Sequence, residues 1–245
     1  MVAIIVGIIA LCVLPFVEKR VANPVLDLSL FSNRVFVSAN MSLVLSFLAL
    51  FAVSFMMPFY LEQLKLFPTI EVGLLLTPLP VAIALIAPFS GALADRIGTR
   101  WLAAVGLAIA CIGLVLLSQL NAHDSLFDII WRLVLTGVGQ ALFQSPNNSA
   151  LMGSAPRERQ GSASGFLATG RVIGQSLSVA LAGTIFAALG GAFAGNALIT
   201  HHHTASIQSL QNTFAHSFQI TFLVCAAIAF IGVFTSLVRG KEVRK

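Results

Sequence analysis

Six polar residues recur at every fourth position in an otherwise apolar stretch: Asp128, Arg132, Thr136, Gln140, Gln144 and Asn148. On a helix of 3.6 residues per turn a four-residue step drifts by about 40°, so the six form a slowly winding stripe. Amides, a hydroxyl and an arginine on one stripe can bind a solute by hydrogen bonding, as the wall of a cavity. They can equally join neighbouring helices to one another. Asp128 and Arg132 also make a favourable i,i+4 pair. A second set lies downstream. Gly170, Gly174 and Ser178 give a small-residue face for close helix approach. Arg171, Gln175 and Ser178 make a polar edge beside it. Asn40, Ser42, Ser46 and Ser54 form a weaker upstream set. Metal or nucleophile chemistry finds little support. His201, His202 and His203 are consecutive and cannot easily face one ion, so they read as a solvated loop. There is no H-E-x-x-H, and Ala163 stands where the serine of a G-x-S-x-G run would be. No pattern calls for a cofactor.

The composition dictates what must hold these residues. Of the 245 residues, 58% are hydrophobic and 9% are charged, against about 25% charged in an average soluble domain. So few charges cannot cover a water-soluble fold of this size, and the chain reads as an all-α membrane protein. Cys12, Cys111 and Cys225 each lie inside an apolar run, with no disulfide framework or zinc spacing.

A membrane-spanning helix needs about 20 mostly apolar residues. Seven stretches qualify: 1–17, 35–60, 72–93, 101–120, 126–153, 163–193 and 214–238. The first is short, and Met1 already lies in the apolar run, so residues 1–17 read as part of a helix within something longer. Residues 18–34 then form a connecting segment and 239–245 a basic tail. Lys19, Arg20, Arg34, Arg96, Arg100, Arg157, Arg159, Arg239, Lys241, Arg244 and Lys245 fall in alternate loops and the tail, whereas the intervening loops hold Lys65 alone. The positive-inside rule then places the tail in the cytoplasm and the chain in the cell membrane as a multi-pass protein. The basic residues gather in no patch suited to nucleic acid. The 101–120 and 214–238 stretches are nearly apolar all round and read as lipid-facing. Pro78, Pro80 and Pro88 predict a kinked 72–93 span. Asp95 and Glu62, Glu71 and Asp128 all fall near span ends, so no carboxylate is expected deep in a span.

The turn after the third stretch is the most specific signal. It reads Gly91-Ala92-Leu93-Ala94-Asp95-Arg96-Ile97-Gly98-Thr99-Arg100. Glycine permits close approach and a tight turn, Asp95 can accept hydrogen bonds from a helix N-terminus, and the arginines suit an anionic leaflet. This turn resembles the G-x-L-a-D-r-x-G-r-k motif of major facilitator superfamily transporters, with Thr99 in place of the usual basic residue. The run Pro24 to Phe36 resembles the entry to the second half of the fourteen-span drug:proton antiporters. Gly137-Val138-Gly139, Pro146-Asn147-Asn148 and Arg159 to Gly165 fit the same half.

The resemblance covers essentially the whole chain and carries several implications. Residues 35–238 would be the C-terminal six-helix half, built of two inverted three-helix repeats, preceded by one linker helix. The protein would be a proton-coupled multidrug exporter of hydrophobic or cationic compounds, working by alternating access with an N-terminal half. Asn40, Ser46, Arg132, Thr136, Gln140 and Gln144 would line the substrate cavity. Gly91, Asp95, Arg96, Gly98 and Arg100 would form the gating turn. Gly170, Arg171, Gly174, Gln175 and Ser178 would serve packing and coupling. Two other classes compete: a non-transporting membrane subunit, and a seven-helix receptor. The receptor reading lacks an outer cysteine pair and an N-P-x-x-Y segment.

Overall fold

A computed structural model of the chain describes residues 28–200 and 206–238. The expected helix at 1–17, most of the connecting segment, His201 to His203 and the basic tail lie outside the described residues. Every regular element among the described residues is helical. They are α1 Arg34–Phe59, α2 Thr69–Leu76, α3 Pro78–Ile97, α4 Thr99–Ser118, α5 Leu126–Gly153, α6 Gln160–Ala188, α7 Gly191–Thr200 and α8 Ile207–Leu237. A π-helical turn, Tyr60–Leu64, extends α1. Six spans are long and apolar enough to cross a membrane: α1 with its extension, α2 with α3, then α4, α5, α6 with the turn before it, and α8.

Local chemistry sets the helix ends. The Asn33 side chain accepts from the Val35 N–H at the start of α1. Ser125 and Asp128 form a reciprocal capping box on α5, and Ser206 caps α8 by accepting from Ser209. Gly98, at φ +93°, turns the chain from α3 into α4, a conformation that a side chain would strain.

The third and sixth spans depart from the expected single helices. The third breaks at Thr77. Pro78 has no N–H to give the Leu74 carbonyl, which instead accepts from Thr77 N at 3.2 Å, while the Thr77 hydroxyl donates to Gly73 at 2.9 Å. Pro88 lies within α3 and does not interrupt it. The span expected at 163–193 ends at Ala188, where Gly190 adopts φ +83° and the short helix α7 begins.

α5 packs between α3 and α4, and α1 packs between α6 and α8, with α4 against α8 and α1 touching α5. The α4–α5 seam is closed by small residues. A methyl on Gly139 would sit 2.8 Å from Gly106 O, and one on Gly106 would meet the Leu142 side chain at 2.8 Å. These backbones approach because neither carries a side chain there. The larger core cluster gathers Tyr60, Phe186, Phe214, Phe218 and Phe222 at the end away from the arginine-bearing turns. At the opposite, basic end, Phe31, Phe36 and Phe166 pack edge to face, with centroids 5.1 to 5.8 Å apart.

Candidate functional site

α1 and α5, which supply the facing walls of the candidate site, are tied together along their length. At the basic end Asn33 Nδ2 donates to Ser154 O at 3.0 Å. Deeper in, the buried Asn147 Nδ2 donates to Ala39 O at 3.1 Å. At the far end the Tyr60 hydroxyl donates to Asn121 O at 2.7 Å, and Lys65 Nζ donates to Ala122 O and Asp124 O at 2.9 and 2.7 Å. These bonds hold α1 to the loop that leads into α5.

Between these ties lies a small recess lined by Ser46, Phe47 and Leu50 of α1 and Gln140, Phe143 and Gln144 of α5. Ser46 spends its hydroxyl on Leu43 O at 2.8 Å, so the two carboxamides, both half-buried, carry the polarity of the wall. Phe47 and Phe143 are the aromatic residues of the wall, and both are buried. In this structure the recess is closed around them and leaves no room for a solute.

The other expected cavity residues fall elsewhere. Thr136 is fully buried, donates to Arg132 O at 2.8 Å and packs against Gly113 of α4. The drift of the stripe thus turns it into the α4–α5 seam. Arg132 lies toward the far end with its guanidinium 5.6 Å from the Trp131 ring centroid. Its Nε and one Nη are buried without a hydrogen-bond partner. Asp128 accepts from the Ser125 hydroxyl at 2.6 Å and from Trp131 Nε1 at 3.4 Å, so it serves the helix start. Asn148 is half-buried with its Oδ1 unpartnered.

α6 reaches the same wall from the other side. A methyl on Gly170 would lie 3.1 Å from Asn40 Oδ1, and one on Gly174 would lie 2.7 Å from the Phe47 Cβ. The small face expected on this helix is thus its contact with α1. That approach lets Arg171 lay its guanidinium 5.2 Å from the Phe47 ring centroid. Phe47 joins the recess to the arginine. Asn40 Nδ2, Arg171 Nε and Ser178 Oγ are buried with no hydrogen-bond partner, and Gln175 is half-buried.

The Gly91–Arg100 turn sits at the basic end of α3. A methyl on Gly91 would lie 3.3 Å from Ser145 Oγ of α5, so this glycine lets α3 close on α5. Asp95 and Arg96 are exposed. Gly98 N donates to Ala94 O at 2.8 Å, and Arg100 stacks 5.6 Å from the Trp101 ring centroid.

Sequence reasoning missed four contributors. Phe47, Leu50 and Phe143 read only as apolar filler. Asn147 was one letter of a motif whose neighbour Asn148 lay on the polar stripe. Only the partner helix distinguishes the asparagine that ties α5 to α1 from its half-buried neighbour.

Six membrane-length helices, with two carboxamides held between α1 and α5, define a polytopic membrane domain. A family model described as Major Facilitator Superfamily matches residues 1–179 and, in a second alignment, 39–245. The chain belongs to this superfamily. It is 41% identical over 168 residues to an uncharacterized transporter, YebQ, of Escherichia coli, covering 68% of this chain and 37% of that protein. It is 36% identical over 183 residues to the riboflavin transporter RibZ of Clostridioides difficile, covering 75% of this chain and 40% of that one. It is 31% identical over 173 residues to the multidrug resistance protein Stp of Mycobacterium tuberculosis, covering 71% and 32%. The chain thus spans well under two thirds of the length of these curated relatives.

Proposed function

We propose that the chain forms the C-terminal half of a proton-coupled multidrug exporter of the cell membrane, with a cytoplasmic C-terminus. The observation that carries this reading is the recess between α1 and α5, where Gln140 and Gln144 face Ser46 and Phe47. Polar groups at membrane depth are retained where they face protein or water along a solute path. Aromatic rings beside neutral amides suit hydrophobic compounds, including cationic ones held over a ring face. The similarity to the multidrug resistance protein Stp supports a role in drug resistance.

Alternating access would come from rocking this half against an N-terminal half across the shared recess. Ile70, Leu74, Leu85, Phe89, Val172, Ile173 and Leu177 are exposed on α2–α3 and α6, faces that such a partner or lipid would cover. The proton-carrying acid would belong to the other half. The Asp95 turn would bias the switch between states, since its place at the basic end of α3 is remote from the recess.

A second reading, transport of a planar heteroaromatic nutrient, is favoured by the same pairing of amides and rings, and by the name of RibZ. One experiment separates the two. The chain is co-expressed with an N-terminal half in an exporter-deficient host, and proton-gradient-dependent efflux of a cationic dye and uptake of riboflavin are measured. Dye efflux supports the exporter. Riboflavin uptake without dye efflux supports the second reading. Movement of neither removes both.

A further inference from the structure

An open pocket of about 420 Å³ lies between the far ends of α4 and α8, remote from the α1–α5 recess, with Leu120 and Ala215 among its lining and the rest of it polar. Ser118, Gln119 and Asn121 line it from one side, and Asn212, His216 and Gln219 from the other. Its volume is that of a small-ligand site. Four of these six side chains are carboxamides.

The surface below the pocket says what kind of molecule would enter it. On α4 the exposed residues Trp101, Val105, Ile112, Val115 and Gln119 follow one helical stripe. On α8 the exposed residues Asn212, His216, Gln219, Leu223, Ala227, Phe230 and Phe234 follow another. The two helices run antiparallel and in contact. Cys111 Sγ donates to Ala226 O at 3.3 Å, and Gly232 packs against Leu107. Both stripes change character at the same level. Gln119 and Gln219 both line the pocket, and every stripe residue on the membrane side of them is apolar apart from the distant, amphipathic Trp101. A polar chamber above an apolar strip matches an amphiphile whose head and chains are about one residue turn apart.

We propose that this pocket binds the headgroup of a phospholipid in the leaflet opposite the basic end, with an acyl chain lying along Val115, Ile112 and Leu223. The lining holds no lysine, arginine, aspartate or glutamate, so net charge does not select the lipid. Hydrogen bonding does. Carboxamide N–H groups donate to phosphodiester oxygens, and carboxamide oxygens accept from a headgroup that carries N–H. Phosphatidylethanolamine satisfies both. The quaternary ammonium of phosphatidylcholine has no N–H to give the amide oxygens, which would keep water instead.

The test reads lipid contact at Val115, four residues or about 6 Å below Gln119. A single-tryptophan protein (Trp101→Phe, Trp131→Phe, Val115→Trp) is reconstituted in dioleoyl vesicles. Its fluorescence is quenched by chain-brominated phosphatidylethanolamine in phosphatidylcholine, and by the converse mixture. A protein keeping only native Trp101, about 21 Å away in the other leaflet, is the reference. The pocket predicts a relative binding constant roughly three- to tenfold in favour of phosphatidylethanolamine at position 115, the worth of one or two net hydrogen bonds, and about unity at Trp101. Asn212→Leu with Gln219→Leu should bring position 115 to unity. Equal quenching by both lipids at 115, or the same preference at Trp101, would overturn the proposal. The comparison between the two positions decides even where the double variant does not fold.

Discussion

The side-chain amide of Asn147 on α5 donates to the backbone carbonyl of Ala39 on α1 at 3.1 Å, inside a contact where Asn147 is fully buried. This bond joins the two helices that wall the recess, at a depth where water cannot substitute for a lost partner. Asn147→Leu should destabilise the domain by about 1–3 kcal/mol, the range for losing a buried hydrogen bond with its partner left in place. Asn148→Leu, one position on and half-buried, should cost less. Thermal unfolding in detergent micelles measures both. A larger loss for Asn148→Leu would contradict the assignment.

The α4–α5 seam should tolerate no added carbon. A methyl on Gly139 meets Ala110 and Gly106 backbone atoms, which cannot rotate away. Gly139→Ala should therefore cost about 1–3 kcal/mol or more through overpacking. Gly165→Ala, where nothing lies within 4 Å, should be neutral or slightly stabilising, since alanine favours a helix over glycine. Yield of folded, monodisperse protein for the two variants gives the comparison.

Water access should differ along the α5 stripe. In a background without Cys12, Cys111 and Cys225, Gln140→Cys and Gln144→Cys should react with a membrane-impermeant maleimide in the assembled transporter. Thr136→Cys should react at least tenfold more slowly, because that position is sealed against Gly113. Comparable rates at all three positions would show that the α4–α5 seam opens to water.

Loss of the Arg171–Phe47 stack should cost stability. Phe47→Leu keeps most of the apolar volume but removes the ring face under the guanidinium, which lies 5.2 Å away. A cation–π contact is worth about 0.5–2 kcal/mol, so the domain should lose about that much stability. Arg171→Lys should cost a similar amount, since an ammonium lacks the planar stacking face. Thermal unfolding of the two variants in detergent micelles is the measurement.

Asp95→Asn should slow transport while leaving substrate affinity within a few-fold, because its exposed place at the basic end of α3 keeps it from the recess. Turnover and equilibrium binding measured on one preparation separate these effects. A large loss of affinity with normal turnover would argue against a switching role.

The sequence by itself determined the class of protein and the ordering of its helices. Hydropathy is summed over contiguous residues, so seven stretches were readable where about 20 apolar residues ran together, and six of them are spans among the described residues. The 91–100 turn is a local motif whose glycine conformation at Gly98 is a property of that residue alone, whereas the spacing of Asp128 and Arg132 suggested an i,i+4 pair and Asp128 instead closes a capping box with Ser125. Four-residue spacing likewise exposed the small face of α6 before its partner was known. The break at Thr77 was foreshadowed by Pro78, although its place needed the hydrogen bonds around it.

Which neighbour each face meets was decided only by the tertiary structure. Thr136, Gln140 and Gln144 stand on one stripe, yet the first is sealed against Gly113 while the other two line the recess. A drift of about 40° per step spreads the stripe across two interfaces, and the position of α4 and α1 around α5 sets where one ends. Phe47 and Phe143 carry no polar mark in the sequence, because an aromatic ring reads the same facing lipid, core or solute. Asn147 and Asn148 differ only in which packed helix lies opposite. Side-chain partners more than 100 residues apart, such as Asn147 with Ala39, arise from helix–helix geometry, and no local pattern in the chain encodes that.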